Sequence, residues 1–233
     1  MQPFTALVRP PGTSFPQAIS NHPQQKEINL SIALIQHQGY VQALKRAGAK
    51  ILSLSPEDTL PDSTFVEDTA FIFGETAFLC SQKEETRRKE VGSVAKVLME
   101  YRKIVTLEPY LDGGDILNTP ESIFIGLSKR TDERAIKNLS EKIDKNIVPV
   151  PVKKGLHLKS AVSYLGNNTL LINPERIGAD EFRNFQWIEV EEKDSYVANC
   201  LVLRNQVIMP SGFSTIREKI RQNGFETVEL EMS

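Results

Sequence analysis

Apolar positions along this chain switch between a period of two and a period near 3.6, and the switch recurs at regular intervals. Phe4 to Arg9 reads as a strand stopped by Pro10-Pro11-Gly12, followed by a polar loop to Gln25. Between Lys26 and Arg46, the apolar Ile28, Ile32, Ile35 and Leu44, with Ala47 just beyond, fall mainly at helical spacing, and Gly48 supplies the stop. Ala49 to Leu54 predicts a strand and Pro56 to Ser63 a loop. Phe65 to Cys80 predicts a hairpin turning at Gly74-Glu75, with Glu67 and Asp68 inside its first arm. A charged surface helix over Glu84 to Tyr101 and a strand over Lys103 to Leu107 follow. Leu111 to Ser128 is a second hairpin. Ile116 and Leu117 close its first arm, Thr119 to Ser122 turn, and Ile123 to Leu127 return. Thr131 to Asp144 is again amphipathic, and Ile147 to Val152 is a strand. A third hairpin, Leu156 to Asn173, turns at Gly166-Asn167-Asn168. A short helix at Ala179 to Phe185 then leads to a strand at Trp187 to Val190. A fourth hairpin, Tyr196 to Met209, precedes a helix at Ser214 to Asn223 and a last strand at Glu226 to Met232.

One unit is therefore repeated: hairpin, helix, strand. Glu67, Asp112, His157 and Asn199 each sit just inside a hairpin mouth, in steps of 45, 45 and 42 residues. That period predicts a radial α/β array, propeller-like, in one domain spanning residues 1–233. Its hairpin mouths converge on a central axis. The N-terminal unit supplies only one hairpin arm, so the count expects a further strand just after Ser233 to complete the fifth unit.

The mouths carry chemistry. Asp62, Glu67 and Asp68 make an anionic cluster suited to a cation with several N–H donors, or else a solvated loop. Asp112 and Asp115 bracket Gly113-Gly114, where glycine permits a close backbone approach. The pair suggests a site, or else a tight turn with solvated acids. His157 alternates with Leu156 and Leu158 and so points to the opposite side of its strand. A carboxylate from another mouth would make it an acid/base pair. The other histidines, His22 and His37, lie in a loop and on a helix. Arg87 and Arg130 offer forks for a carboxylate, or solvent-facing charge at helix starts. An acidic pocket flanked by arginines suits a ligand with a cationic and a carboxylate end, as arginine itself has.

Composition narrows the class. The chain has 233 residues, 40% hydrophobic and 25% charged, with net charge −2 and a pI near 6.0. That balance argues against a nucleic-acid surface. No apolar run reaches the roughly 18 residues that a membrane span requires, and no secretory signal opens the chain. Two cysteines, Cys80 and Cys200, make no disulfide framework, so a reducing, cytoplasmic compartment is expected. Cys200 reads as a small apolar residue.

Phe65-Val66-Glu67-Asp68, Leu111-Asp112-Gly113-Gly114-Asp115, Gly126-Leu127-Ser128-Lys129-Arg130-Thr131, Leu156-His157-Leu158-Lys159-Ser160 and Ala198-Asn199-Cys200 occur in this order. Together with Arg87-Arg88-Lys89-Glu90 they resemble the dimethylarginine dimethylaminohydrolases, of the guanidine-modifying superfamily, across essentially the whole chain. The resemblance implies a pseudo-fivefold ββαβ propeller that hydrolyses N-methylated arginines to citrulline and methylamine or dimethylamine. It implies His157 as general acid/base and Asp112 as the carboxylate that orients it or contacts the guanidinium, and with Asp112 in that role Asp115 is expected to brace the glycine turn. Asp62, Glu67 and Asp68 would line the guanidinium and amino pocket, Arg87 and Arg130 would hold the substrate carboxylate, and Ile19 falls near an apolar lid position. No metal or organic cofactor is implied.

The family's reaction uses a cysteine thiolate on a strand near the C-terminus, a segment this sequence does not contain, and Cys80 and Cys200 are not substitutes. Arginine deiminases share the Gly-Gly-Asp and His-Leu motifs but carry an aspartate at the position of Lys159, so Lys159 favours a methylated substrate. Hydrolysis of arginine or another guanidino compound is the alternative within this chemistry. A non-catalytic binding protein on the same fold is the alternative outside it. Either a monomer or a homodimer is compatible with the sequence.

Overall fold

The computed structural model describes residues 4–20 and 27–232; His22 and Lys26 lie outside them. Five small sheets make up the fold. Strands β1 (Phe4–Val8) and β2 (Ala49–Ser53) run parallel as a pair. The other four sheets share one plan, an antiparallel hairpin whose second strand pairs in parallel with a third. They are β3 (Ala70–Phe73), β4 (Thr76–Leu79) and β5 (Lys103–Thr106); β6 (Ile116–Asn118), β7 (Ser122–Leu127) and β8 (Asn146–Pro151); β9 (Val162–Gly166), β10 (Thr169–Ile172) and β11 (Gln186–Glu189); and β12 (Leu201–Leu203), β13 (Gln206–Pro210) and β14 (Glu226–Leu230). Helices α1 (Leu30–Arg46), α2 (Glu90–Leu98), α3 (Glu133–Ser140) and α4 (Ser214–Gln222) connect to the parallel strands, and the β10–β11 connection carries only a 3-10 turn, Ala179–Phe182.

The buried side chains show how the sheets are arranged. Leu7 and Leu54 meet Ala77, Leu79 and Val94, joining the first sheet to the second. Phe78 and Leu107 pack with Ile116, Ile125 and Leu139, joining the second to the third. Phe124 and Val150 meet Val162 and Leu170, and Leu171 and Ile188 meet Val207 and Met209. Val8 and Leu44 then meet Ile208, so the fifth sheet returns to the first. Each sheet thus buries apolar area against two neighbours, and the ring of a pseudo-fivefold propeller follows. Truncating a fully buried member such as Leu139 to alanine costs about 2–5 kcal/mol.

The apolar stripe of α1 is only partly buried, and one expectation needs correction. The isoleucines of α1 do not face the core: Ile32 is 50% and Ile35 68% exposed, while Ala43 and Leu44 near its C-terminus are buried. Only the last turns of α1 lie against the sheet, so a helical period marked the helix without marking its buried face. The hairpin mouths are not strands either. Each begins with a 3-10 turn: Val66–Thr69, Gly113–Asp115, Leu158–Ser160 and Glu192–Ala198. Glu67 and Asp68 ride on the first of these, and His157 is the extended residue entering the third.

Candidate active site

The Gly113-Gly114 pair explains how three mouths meet. A Cβ on Gly113 would stand 2.0 Å from the Glu67 carbonyl oxygen, in the neighbouring sheet's turn. One on Gly114 would stand 2.8 Å from both Asp68 Oδ1 and His157 Cδ2. Glycine is needed here for close approach, with no left-handed backbone involved. The result brings Asp68, Asp112 and His157 together from sheets that are adjacent on the ring.

His157 sits between two carboxylates. Its Nδ1 lies 3.5 Å from Asp115 Oδ2 and its Nε2 3.7 Å from Asp112 Oδ2, and all three residues are buried. Asp115 is firmly held. Its Oδ2 accepts the hydroxyls of Ser128 at 2.5 Å and Thr131 at 2.7 Å, and its Oδ1 accepts the Leu158 backbone N–H at 2.9 Å. Asp112 is fully buried, and neither of its oxygens has a hydrogen-bond partner among the described residues; the same is true of His157 Nε2. Buried polar atoms normally find partners, so these three together leave unmet hydrogen-bonding capacity at one point of the cluster. One donor atom from each of Asp68, Asp112 and His157 can be chosen so that all lie within 4.8 Å of one another, a spacing that would also admit a metal ion.

Electrostatics follow from this crowding. Burial and the like charge of Asp68 push Asp112 up to about 7, against the pull of His157, Arg87 and Arg130. Burial alone would lower His157, but its contact with Asp115 and the charges of Asp68, Asp115 and Asp112 outweigh it, and its pKa is raised.

The arginines differ. Arg130 reaches Asp112 Oδ2 at 3.9 Å and Glu84 at 3.5 Å, yet its Nη1 has no hydrogen-bond partner among the described residues. The Arg87 fork is engaged: Nε and Nη2 donate to Glu90, and Nη1 donates to Asp68 Oδ2 at 3.1 Å. Burial opposes its charge, but the Glu90 hydrogen bonds and the nearby acids prevail and raise its pKa.

The remaining candidates line the approach. Asp62 is buried and accepts the Ile19 backbone N–H at 3.1 Å; burial raises its pKa against that bond. The Ile19 side chain is 43% exposed and borders an open pocket with Gln17, Thr59, Asp62 and Thr86; His157 and Asp112 do not line it. Glu67 points outward and is paired with Lys159 Nζ at 2.6 Å, so it stands at the rim instead of inside the cluster. Two residues were not expected to matter this way: Asp115, placed as a brace, also faces the histidine, and Glu90 holds Arg87. The i, i+3 spacing of Arg87 and Glu90 was the available signal for the second. Neither cysteine is a thiolate. Burial drives the Cys80 thiol upward, and that of Cys200 to about 12.

A histidine flanked by carboxylates, beside buried arginines, at the meeting point of blades in a five-sheet α/β propeller is an arrangement suited to acid/base chemistry on a cationic ligand. Comparison with known proteins narrows it. The family model "N,N dimethylarginine dimethylhydrolase, eukaryotic" matches residues 8–222. The N(G),N(G)-dimethylarginine dimethylaminohydrolase of Pseudomonas aeruginosa is 33% identical over 208 residues, covering 86% of this chain and 82% of that protein. Among solved structures, a dimethylarginine dimethylaminohydrolase histidine-to-glycine variant in adduct with S-methyl-L-thiocitrulline superposes with a TM-score of 0.92 at 31% identity, covering 97% of this chain and 91% of the other. A cysteine-to-serine variant of the Pseudomonas aeruginosa enzyme complexed with citrulline gives 0.91, with the same identity and coverage. This chain belongs to the dimethylarginine dimethylaminohydrolase family.

Proposed function

We propose that this protein hydrolyses Nω-methylated arginines to citrulline and methylamine or dimethylamine. The observation that carries the reading is that Asp112 Oδ1, Asp112 Oδ2 and His157 Nε2, buried beside Asp68, have no hydrogen-bond partner among the described residues. A guanidinium is planar, cationic and rich in N–H donors, and it would satisfy both Asp112 oxygens with His157 Nε2 facing its departing nitrogen.

In this reading Asp115 holds His157 through Nδ1, and Asp112, on the Nε2 side, contacts the guanidinium. Asp68 and Asp62 line the cationic and amino parts of the pocket, with Glu67 at the rim and Ile19 as the lid. Arg130, whose Nη1 lies 3.9 Å from Asp112 Oδ2 with no hydrogen bond among the described residues, takes the substrate carboxylate; Arg87, its fork engaged, adds charge to that end and poses Asp68. A cysteine thiolate attacks the guanidinium carbon, and His157 gives a proton to the departing dimethylamine. His157 then takes a proton from water, whose oxygen attacks the same carbon and releases citrulline and the thiolate. The thiolate in this reading is not that of Cys80 or Cys200, whose thiols burial pushes up. Among the described residues β1 pairs on one side only, and an antiparallel strand on its other side would repeat the plan of the other four sheets. Two unpaired cysteines fit a cytoplasmic setting, and among the described residues no helix is long and apolar enough to cross a membrane.

The test is citrulline release by the full-length protein from arginine and from its mono- and dimethyl forms. The methylated forms should be preferred, and His157→Ala should abolish turnover. Preference for arginine would favour the deiminase alternative, against which Lys159 stands where the deiminases carry an aspartate.

A further inference from the structure

Outside the atoms that face the ligand, the molecule buries one more carboxylate against the site. Glu90, the first residue of α2, is 1% exposed. Its two oxygens take Nε and Nη2 of Arg87 at 3.0–3.2 Å, so the guanidinium is gripped along one edge. The opposite corner, Nη1, is thereby aimed at Asp68 Oδ2. The charged groups facing Glu90 come from three elements: Arg87 from the turn before α2, Asp62 and Asp68 from the segment before β3, and Arg9 at the end of β1. Arg9 is itself buried and donates to Ser93 Oγ of α2 and to the Ser63 carbonyl, tying this helix to the Asp62 segment.

We propose that Glu90 is a positioning residue that sets the charge of the guanidinium pocket by occupying Arg87. With Glu90 in place, Arg87 gives one corner to Asp68 and leaves the cluster of Asp68 and Asp112 anionic. Without it, the free edge of Arg87 would swing onto Asp68 or Asp62 as a bidentate partner and neutralise the acids that a cationic substrate needs. Burial raises the Glu90 pKa, and the hydrogen bonds and charge of Arg87 pull against that rise.

Two substitutions separate charge from reach. Glu90→Gln keeps the shape and removes the charge; Glu90→Asp keeps the charge and withdraws it by one methylene. The KM arm rests on the hydrolase reading. Both variants should raise KM for dimethylarginine with kcat nearly unchanged, the Gln variant by about tenfold, the size of one charge-assisted contact. The second arm needs no turnover: the His157 ring is followed by NMR titration in the same proteins. Its midpoint should fall in the Gln variant, where Arg87 is no longer offset, and stay at the wild-type position in the Asp variant. A merely structural Glu90 would lower the melting temperature while leaving both KM and the midpoint unchanged, and that result overturns the proposal. If the Gln variant does not fold, an unchanged KM in the folded Asp variant overturns it equally. If wild-type protein makes no citrulline, the hydrolase reading falls, and the titration still decides the role of Glu90.

Discussion

Asp112→Asn should make the protein more stable and inactive at once, and the gain in stability should depend on pH. Asp112 is fully buried and its oxygens lack hydrogen-bond partners among the described residues. Its pKa rises from 3.8 to about 7 on folding. A raised carboxylate pKa means that the folded state holds the proton more tightly than the unfolded chain. Stability is therefore complete below about pH 4 and is lost as pH rises toward 7. Three units at 1.36 kcal/mol each set that loss at about 4 kcal/mol. Asparagine avoids the charge but buries an amide with missing partners, which costs roughly 1–3 kcal/mol. The net gain at pH 8 is about 2 kcal/mol, equivalent to a melting temperature about 4–8 °C higher for a chain of this size. Near pH 4.5 the advantage should vanish. Thermal melts of the full-length protein and its variant at the two pH values read this directly, and citrulline release reads the lost activity. An asparagine variant that melts lower at pH 8, or by the same margin at both pH values, would refute the claim that Asp112 is an uncompensated buried acid.

Asp115→Asn should act in the opposite direction, because that carboxylate is fully partnered: the melting temperature falls, by about 3 kcal/mol of stability, and kcat drops by about 10²–10⁴ as His157 loses its Nδ1 partner. Wild-type kinetics would contradict the orienting role. Gly113→Ala forces a Cβ against the Glu67 carbonyl; the expected cost is about 3 kcal/mol with activity lost, whereas Gly92→Ala, which meets nothing within 4 Å, should be neutral or slightly stabilising in the melt. Dialysis against a chelator should leave citrulline formation unchanged; a loss restored by added metal would reassign the Asp68, Asp112 and His157 cluster to a cation.

The repeat was legible because glycine, asparagine and proline punctuate it: Gly74 and the Asn167-Asn168 turn hold positive φ where the hairpins turn. The mouths were misread for a physical reason. Leu156-His157-Leu158 satisfies a period of two, but a 3-10 turn of three residues is too short to declare a period of its own. The His157–Asp115 contact joins residues 42 apart and exists only once two sheets are adjacent on the ring, so the local sequence of Asp115 showed a turn brace and nothing more. Glu90 looked like one more charge on a surface helix; only the fold shows that this turn of α2 is buried against Arg87 and that the charge is enclosed. Likewise, the isoleucine stripe of α1 had the right period but no sheet beneath its first half.

The central claim is that this cluster breaks the bond between a guanidinium carbon and a methylated nitrogen. The most direct measurement incubates the full-length protein with dimethylarginine and quantifies citrulline and dimethylamine together. The account requires the two products in a one-to-one ratio, with both absent in His157→Ala. Binding of dimethylarginine with neither product formed would contradict it, leaving a pocket that recognises a guanidinium without hydrolysing it.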